Sequence, residues 1–213
     1  AGLTLLEELT HLQSVMIPQP PALFIIGGAK FETKLPLIEK YLGHYDAVFV
    51  GGALANDILL ADGYEVGKSL VSDMSLQGVA FLHNAKLIRP ADLVVTGPRG
   101  VRVAAVTDVQ SDEKIIDMGP ATVAALAPVI AAAKTILWNG PLGMYENGIP
   151  GSTQAVAKLV AASPANSVLG GGDTVAAVEE LGLNDEFGFV SIGGGAMLTL
   201  LEDGTTPALD VLG

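Results

Sequence analysis

The chain has 213 residues, 50% of them hydrophobic and only 16% charged, so it can bury a sizeable core in one large domain or two small ones. Its net charge of -12 argues against a nucleic-acid surface, which needs a basic footprint. The absence of cysteine excludes disulfides, thiol catalysis and Cys-ligated zinc, and fits a soluble protein of a reducing, cytoplasmic setting.

A stripe of Leu5, Leu6, Leu9, Leu12 and Val15 predicts a helix over Leu3–Val15. The breaker Pro18-Gln19-Pro20-Pro21 precedes a strand at Leu23–Ile26 and a helix over Lys30–Tyr41. A second strand, Asp46–Val50, leads into a helix over Leu54–Ala61 and a loop at Gly63–Gly67. Ser75–Asn84 reads as a helix, Leu93–Thr96 as a strand, and Pro98–Asp112, where apolar and polar residues alternate, as a hairpin or excursion. Gly119-Pro120 opens a helix over Ala121–Ala133, and Thr135–Asn139 is a strand ending in Gly140-Pro141-Leu142-Gly143. Helices over Thr153–Ala162, Thr174–Leu181 and Gly195–Glu202 alternate with strands at Ser167–Leu169 and Phe189–Ile192. This alternation predicts right-handed βαβ crossovers and an α/β fold: a three-layer αβα sandwich around a mainly parallel, Rossmann-like sheet. The longest apolar run, Val123–Ala133, is too short to span a membrane, and the expectation is that no signal peptide is present. A start at Ala1 rather than Met leads to the expectation of a fragment or processed form.

Four of the strands run into glycines and then into a helix: Gly27-Gly28-Ala29-Lys30, Gly51-Gly52-Ala53, Gly170-Gly171-Gly172-Asp173-Thr174 and Gly193-Gly194-Gly195-Ala196. Glycine lets the backbone turn tightly and approach a ligand. A helix starting there points free N–H groups at an anion. Four such turns suggest a sheet whose carboxyl edge is a phosphate-binding rim. Neither a GxxxxGK[ST] loop nor a GxGxxG fingerprint is present.

Lys30 and Lys34, four residues apart past the first turn, could reach one anion or could belong to a solvated helix start. Asp173 is either an N-cap or a Mg²⁺ ligand beside phosphates, and both roles can coexist. Trp138-Asn139-Gly140-Pro141-Leu142-Gly143-Met144-Tyr145-Glu146 is either a rigid turn with Trp138 in the core or a lip over a nucleotide, with Glu146 on the ribose.

Together these stretches, with Gly63–Leu70, Asp117-Met118-Gly119-Pro120 and Ser191, resemble phosphoglycerate kinase, specifically its C-terminal nucleotide-binding domain, in family order over nearly the whole chain. The resemblance implies one nucleotide-binding domain over 1–213. It implies reversible phosphoryl transfer between 1,3-bisphosphoglycerate with ADP and 3-phosphoglycerate with ATP, with Mg²⁺. Lys34 would hold the transferring phosphoryl group and Lys30 the nucleotide's phosphates. Gly28, Ala29, Gly51 and Gly52 would line the adenine and α-phosphate side, and Asn139, Pro141 and Glu146 would contact the nucleotide. Asp173 would serve the metal, Thr174 and the amides of Gly171 and Gly172 the phosphates, and Gly193, Gly194 and Gly195 the group in flight. Ala53, Ile192 and Ile115-Ile116 depart from the family pattern. The family's N-terminal, phosphoglycerate-binding domain has no counterpart here. The chain alone is therefore expected to be inactive or nearly so, and monomeric, with an adenine nucleotide as ligand and no nucleic-acid or membrane partner. A stand-alone Mg-nucleotide-binding module and an αβα domain for a different anion are the competing readings.

Overall fold

The computed structural model describes residues 2–76, 78–144, 151–191 and 193–204. Helix α1 (Gly2–Met16) precedes β1 (Ala22–Ile26), α2 (Phe31–His44), β2 (Ala47–Val50), α3 (Gly52–Ala61) and the short β3 (Leu87–Ile88). An excursion follows, built from β4 (Asp92–Gly97), β5 (Gly100–Ala105) and β6 (Lys114–Met118). The chain then resumes with α4 (Pro120–Ala132), β7 (Thr135–Asn139), α5 (Gly151–Ala161), β8 (Asn166–Gly170), α6 (Gly172–Glu180), β9 (Phe189–Val190) and α7 (Gly194–Asp203).

Six strands form one parallel sheet in the order β3-β2-β1-β7-β8-β9. Its central strands are buried on both faces, so they read as continuous apolar runs rather than alternating ones. Phe24 and Ile26 of β1 pack with Leu37, Ile38 and Tyr41 of α2 and Leu200 and Leu201 of α7. Leu23 and Ile25 face the other way, with Trp138, Leu126 and Ile130 of α4 and Val156 and Val160 of α5. The result is the expected three-layer α/β sandwich.

The small sheet β5-β4-β6 is antiparallel and adds Leu93, Val95 and Met118 to the second core. The alternation in 98–112 is half of a hairpin: β5 pairs with β4 across a turn whose Gly97 and Gly100 are in register. The helix expected over Ser75–Asn84 is corrected to a single 3-10 turn, Ala80–His83. Gly78, at φ +81, breaks the backbone inside that segment. Among the described residues, no helix is long and apolar enough to cross a membrane.

The junction between the sheets is held by Asp92. Its carboxylate accepts from the amides of Ala121 (3.0 Å) and Thr122 (2.7 Å) and from Thr122 Oγ1 (2.9 Å), capping the start of α4 from outside the helix. Asp92→Ala is expected to cost about 2 kcal/mol, a Tm drop of roughly 4–8 °C for a chain of this size. Calorimetry checks it; a drop under about 1 °C would show that the cap carries no weight.

Candidate functional site

The strand order reverses between β1 and β7: the chain runs outward from β1 to β3, then returns to build β7, β8 and β9 on the other side. Loops leaving the two sides diverge there, which opens a crevice at the carboxyl ends of the strands. The crevice is stitched by backbone hydrogen bonds. Gly27 N donates to Asn139 O (2.9 Å), Gly28 N to Pro141 O (2.9 Å), Gly51 N to Ile26 O (2.9 Å) and Gly52 N to Leu142 O (3.0 Å).

The glycine turns touch in series along this edge. A Cβ on Gly52 would stand 2.7 Å from Gly28 N and 2.8 Å from Pro141 O. One on Gly171 would stand 3.2 Å from Gly140 N, and one on Gly194 would stand 3.2 Å from Gly171 N. The turns after β1, β2 and β8 and the turn before α7 thus belong to one rim. Four helices begin there, α2, α3, α6 and α7, with Lys30, Gly51, Gly171 and Gly193 as N-caps and no side-chain cap hydrogen bond at any of them. Their first-turn amides lack the side-chain oxygens that usually satisfy such groups, which suits an incoming anion. Ser191 Oγ, which donates to Glu8 Oε1 (2.6 Å), accepts from Gly193 N (3.3 Å) and fixes the approach to α7.

Lys34 lies on the inward face of α2. It is 8% exposed, and its Nζ donates to Gly27 O at 2.5 Å and to Asn139 Oδ1 at 3.2 Å. Burial lowers its pKa from 10.5 to about 8, while the Asp173 carboxylate pulls it back upward. Lys30 is exposed and stands at the N-cap, outside the helix, so the two lysines differ in setting despite their spacing. Asp173 does not cap α6: Gly171 takes that position at φ +95, and Asp173 is an exposed residue of the first turn. Trp138 is fully buried, and its Nε1 donates to Gly140 O (2.9 Å), so it shapes the turn from the core side. Glu146 and Ile192 lie outside the described residues.

Beside the rim is a cleft with about 760 Å³ of empty space, part of it open to solvent. Gly28, Ala29, Gly52, Pro141, Asp173 and Met144, the last within the stretch read as a lip, line it, as the sequence suggests; Asn56, Leu70, Lys114 and Met118 line it too, and sequence reasoning missed them. Asn56 was legible in principle, because it follows Gly52 by one helical turn and shares its face. Ile115 and Ile116 also form part of the wall. Asp117 anchors it from behind: its carboxylate accepts from Ser152 N (2.8 Å), Met118 N (2.8 Å) and, at short range, Ser152 Oγ. Burial still raises its pKa, against those hydrogen bonds.

Among the described residues, three buried side-chain polar atoms have no hydrogen-bond partner: Asn56 Oδ1, Asn139 Nδ2 and Thr174 Oγ1. Buried orphans are uncommon and each calls for a cause. Asn56 lines the cleft. A Cβ on Gly171 would lie 3.4 Å from Thr174 Oγ1 and 3.6 Å from Asn139 Nδ2, which places those two at the rim. No cluster of three or more His, Cys, Asp or Glu residues suited to a metal exists among the described residues. A lone carboxylate, Asp173, suits a cation that arrives with phosphate oxygens to complete its shell.

A family model described as phosphoglycerate kinase matches residues 1–204. Phosphoglycerate kinases of Roseiflexus sp. (strain RS-1) and Chloroflexus aurantiacus are each 39% identical over the whole chain. The chain spans 57% of the length of each. The solved phosphoglycerate kinase of Coxiella burnetii superposes with a TM-score of 0.89 at 38% identity, covering 98% of this chain and 57% of that one. The enzyme of Pyrococcus horikoshii OT3 superposes at 0.82 and 28% identity, over 97% and 55% respectively. Sequence and fold therefore agree: the chain belongs to the phosphoglycerate kinase family.

Proposed function

We propose that this chain is the nucleotide-binding, C-terminal half of a two-domain kinase that moves a phosphoryl group reversibly between 1,3-bisphosphoglycerate and ADP. One observation carries the reading: the glycine turns, four uncapped helix starts, Lys34 and two orphaned donors, Asn139 Nδ2 and Thr174 Oγ1, meet on one edge at the switch point. A polyphosphate supplies the acceptor oxygens that the uncapped helix starts and the two orphaned donors lack.

In this reading Gly28, Ala29, Gly51, Gly52, Pro141 and Glu146 hold the adenosine, while Lys30, Gly171, Gly172, Thr174 and Asn139 take the phosphates. Lys34 holds the transferring group, oriented by Gly27 O and Asn139 Oδ1. The amides of Gly193, Gly194 and Gly195 stabilise charge on that group as it passes. Asp173 holds Mg²⁺, which, when bound, neutralises charge on the phosphate oxygens. Positioning and electrostatics suffice for such a transfer, since the protein has little covalent work to do.

The chain spans 57% of the length of such a relative, and in this reading the phosphoglycerate side belongs to the remainder. The chain alone is therefore expected to bind MgADP and MgATP weakly and to turn over 3-phosphoglycerate negligibly, because water exclusion and alignment need both halves. Calorimetric titration with both nucleotides, beside a coupled kinase assay, tests the two statements separately. Absence of nucleotide binding would refute the site; clear turnover by the chain alone would refute its description as half a catalyst.

A further inference from the structure

Helices α2 and α7 both follow parallel strands and leave the rim in the same sense, and their far parts are tied to each other. The last four carbonyls of a helix have no partner within it. At the end of α7, Gly204 N donates to Leu200 O (2.9 Å) and closes the final turn. The next two carbonyls are met from outside. Lys40 Nζ, on the third turn of α2, donates to Leu201 O at 2.8 Å and to Glu202 O at 2.9 Å, and Tyr41 Oη donates to Leu201 O at 3.3 Å. The last turn of α7 carries no basic residue of its own, and Glu202 and Asp203 place negative charge at the negative end of its dipole. Lys40 supplies, from the neighbouring helix, the cation that this helix end lacks.

Packing alone does not set how far α7 sits along α2. Leu37, Ile38 and Tyr41 share one apolar cluster with Met197, Leu200 and Leu201, and apolar contact is non-directional. Hydrogen bonds to two particular carbonyls are directional. They lose their geometry over a shift of about 1–2 Å, the amount by which packed helices slide. Lys40 follows Lys34 by six positions, about 9 Å along α2, and Leu201 follows Gly194 by seven, about 10 Å along α7. The clasp therefore lies at nearly the same depth below both helix starts and holds one against the other.

We infer that Lys40 is a positioning residue for phosphoryl transfer. By holding the last carbonyls of α7 it sets the axial register of that helix, and with it the distance from the amides of Gly193, Gly194 and Gly195 to the ammonium group of Lys34. In the proposed function those amides and Lys34 act on the same phosphoryl group, and the inference rests on that reading. It adds what keeps the two helix starts in step.

The test is initial-rate kinetics of the complete kinase. Lys40→Met keeps an unbranched stem beside Tyr41 and removes the donor. It is expected to lower kcat by about tenfold or more, because misplacement on the order of 1 Å is costly to transfer. KM for MgADP is expected to stay within a factor of about two, since the turns that hold the nucleotide are untouched. Lys40→Arg, whose guanidinium can donate to both carbonyls, is expected to keep at least about half of the wild-type kcat. Lys40→Gln, a shorter neutral donor, is expected to fall between the two and gives the same reading should Lys40→Met not fold. Gly63→Ala, destabilised in the loop after α3, is expected to keep its kcat. An unchanged kcat in Lys40→Met and Lys40→Gln overturns the inference and leaves Lys40 a helix cap. So does a rise in KM as large as the fall in kcat, which would mean that the whole nucleotide site had loosened. An equal fall in Gly63→Ala also overturns it, by tracing the loss to stability. Lys34→Met separates the two levels: if it alone lowers kcat, only the inference falls, and if it too leaves kcat unchanged, the reading of the site falls with it.

Discussion

Lys34→Met is expected to yield a protein that is more stable and functionally inert. The ammonium group is held in a buried position where its pKa falls from 10.5 to about 8, so keeping it charged at neutral pH works against folding. At 1.36 kcal/mol for each tenfold, that opposition is on the order of 3 kcal/mol. Methionine removes it but strands Gly27 O and Asn139 Oδ1, which lose their donor. The net gain at pH 7 is therefore on the order of 1–2 kcal/mol. The sign with pH follows from the direction of the shift. Lys34 is charged in both folded and unfolded states below pH 8. Between about 8 and 10.5 the folded form alone releases its proton, so wild type gains stability as pH rises through that window. The advantage of Lys34→Met should shrink across it. Tyr41 and Tyr45, whose pKa values burial raises, make stability fall above their ordinary value of 10, but they do so equally in both proteins and drop out of the difference. Chemical denaturation of both proteins at pH 7, 8.5 and 9.5 reads this directly. In the complete kinase the same change should lower turnover by about 10³-fold, the range for a lost charge-stabilising group at a transition state. A variant that is less stable at pH 7, or one that retains turnover, would contradict the assignment of Lys34 as a strained functional cation.

Gly140→Ala is expected to damage both the fold and nucleotide binding. Gly140 has φ +93, and a Cβ there would run into the Gly27 carbonyl and come within 2.9 Å of Lys34 Nζ. A left-handed backbone alone costs an alanine about 1–2 kcal/mol. Gly63, at φ +88 with open space for 4 Å around the place a Cβ would take, isolates that part. Gly63→Ala should lose about 1 kcal/mol and leave ligand binding unchanged. Gly140→Ala should lose about 3 kcal/mol or more and weaken MgADP by about 100-fold as Lys34 and the turn are pushed apart. Similar losses in the two variants would mean that the turn after β7 is not tightly packed against the one after β1.

Much of this was legible because strands buried on both faces leave an uninterrupted apolar signal. β1, β2 and β7 announce themselves, and the glycines after them mark where backbone meets backbone. Lys34 could be picked out by its position after a glycine turn, and Trp138 by its place at a strand end. The small sheet was harder. β6 carries Lys114 and Asp117, charged residues that break the apolar pattern because they face a cleft and a helix start instead of core. β3 is two residues long and offers no period to detect. Asp173 resembles a cap because its neighbours are glycines, yet the tight turn at Gly171 moves the helix start forward and leaves the carboxylate exposed. Asn56 stands in a largely apolar helix, and its one-turn spacing from Gly52 was the sequence cue to its place on the cleft wall.

The pairing of β1 with β7 also has a consequence for how such a protein is made. Lys34 and its partner Asn139 are 105 positions apart in the chain, and β1 has no neighbour on its inner side until β7 arrives. During synthesis the first strands emerge well before the second half of the anion-binding edge exists. A nascent chain that stops short of residue 135 exposes an unpaired apolar edge, and no amount of nucleotide can rescue it. Ligand-assisted folding can begin only after the ribosome has passed that point, because both halves of the edge must exist before an anion can bridge them.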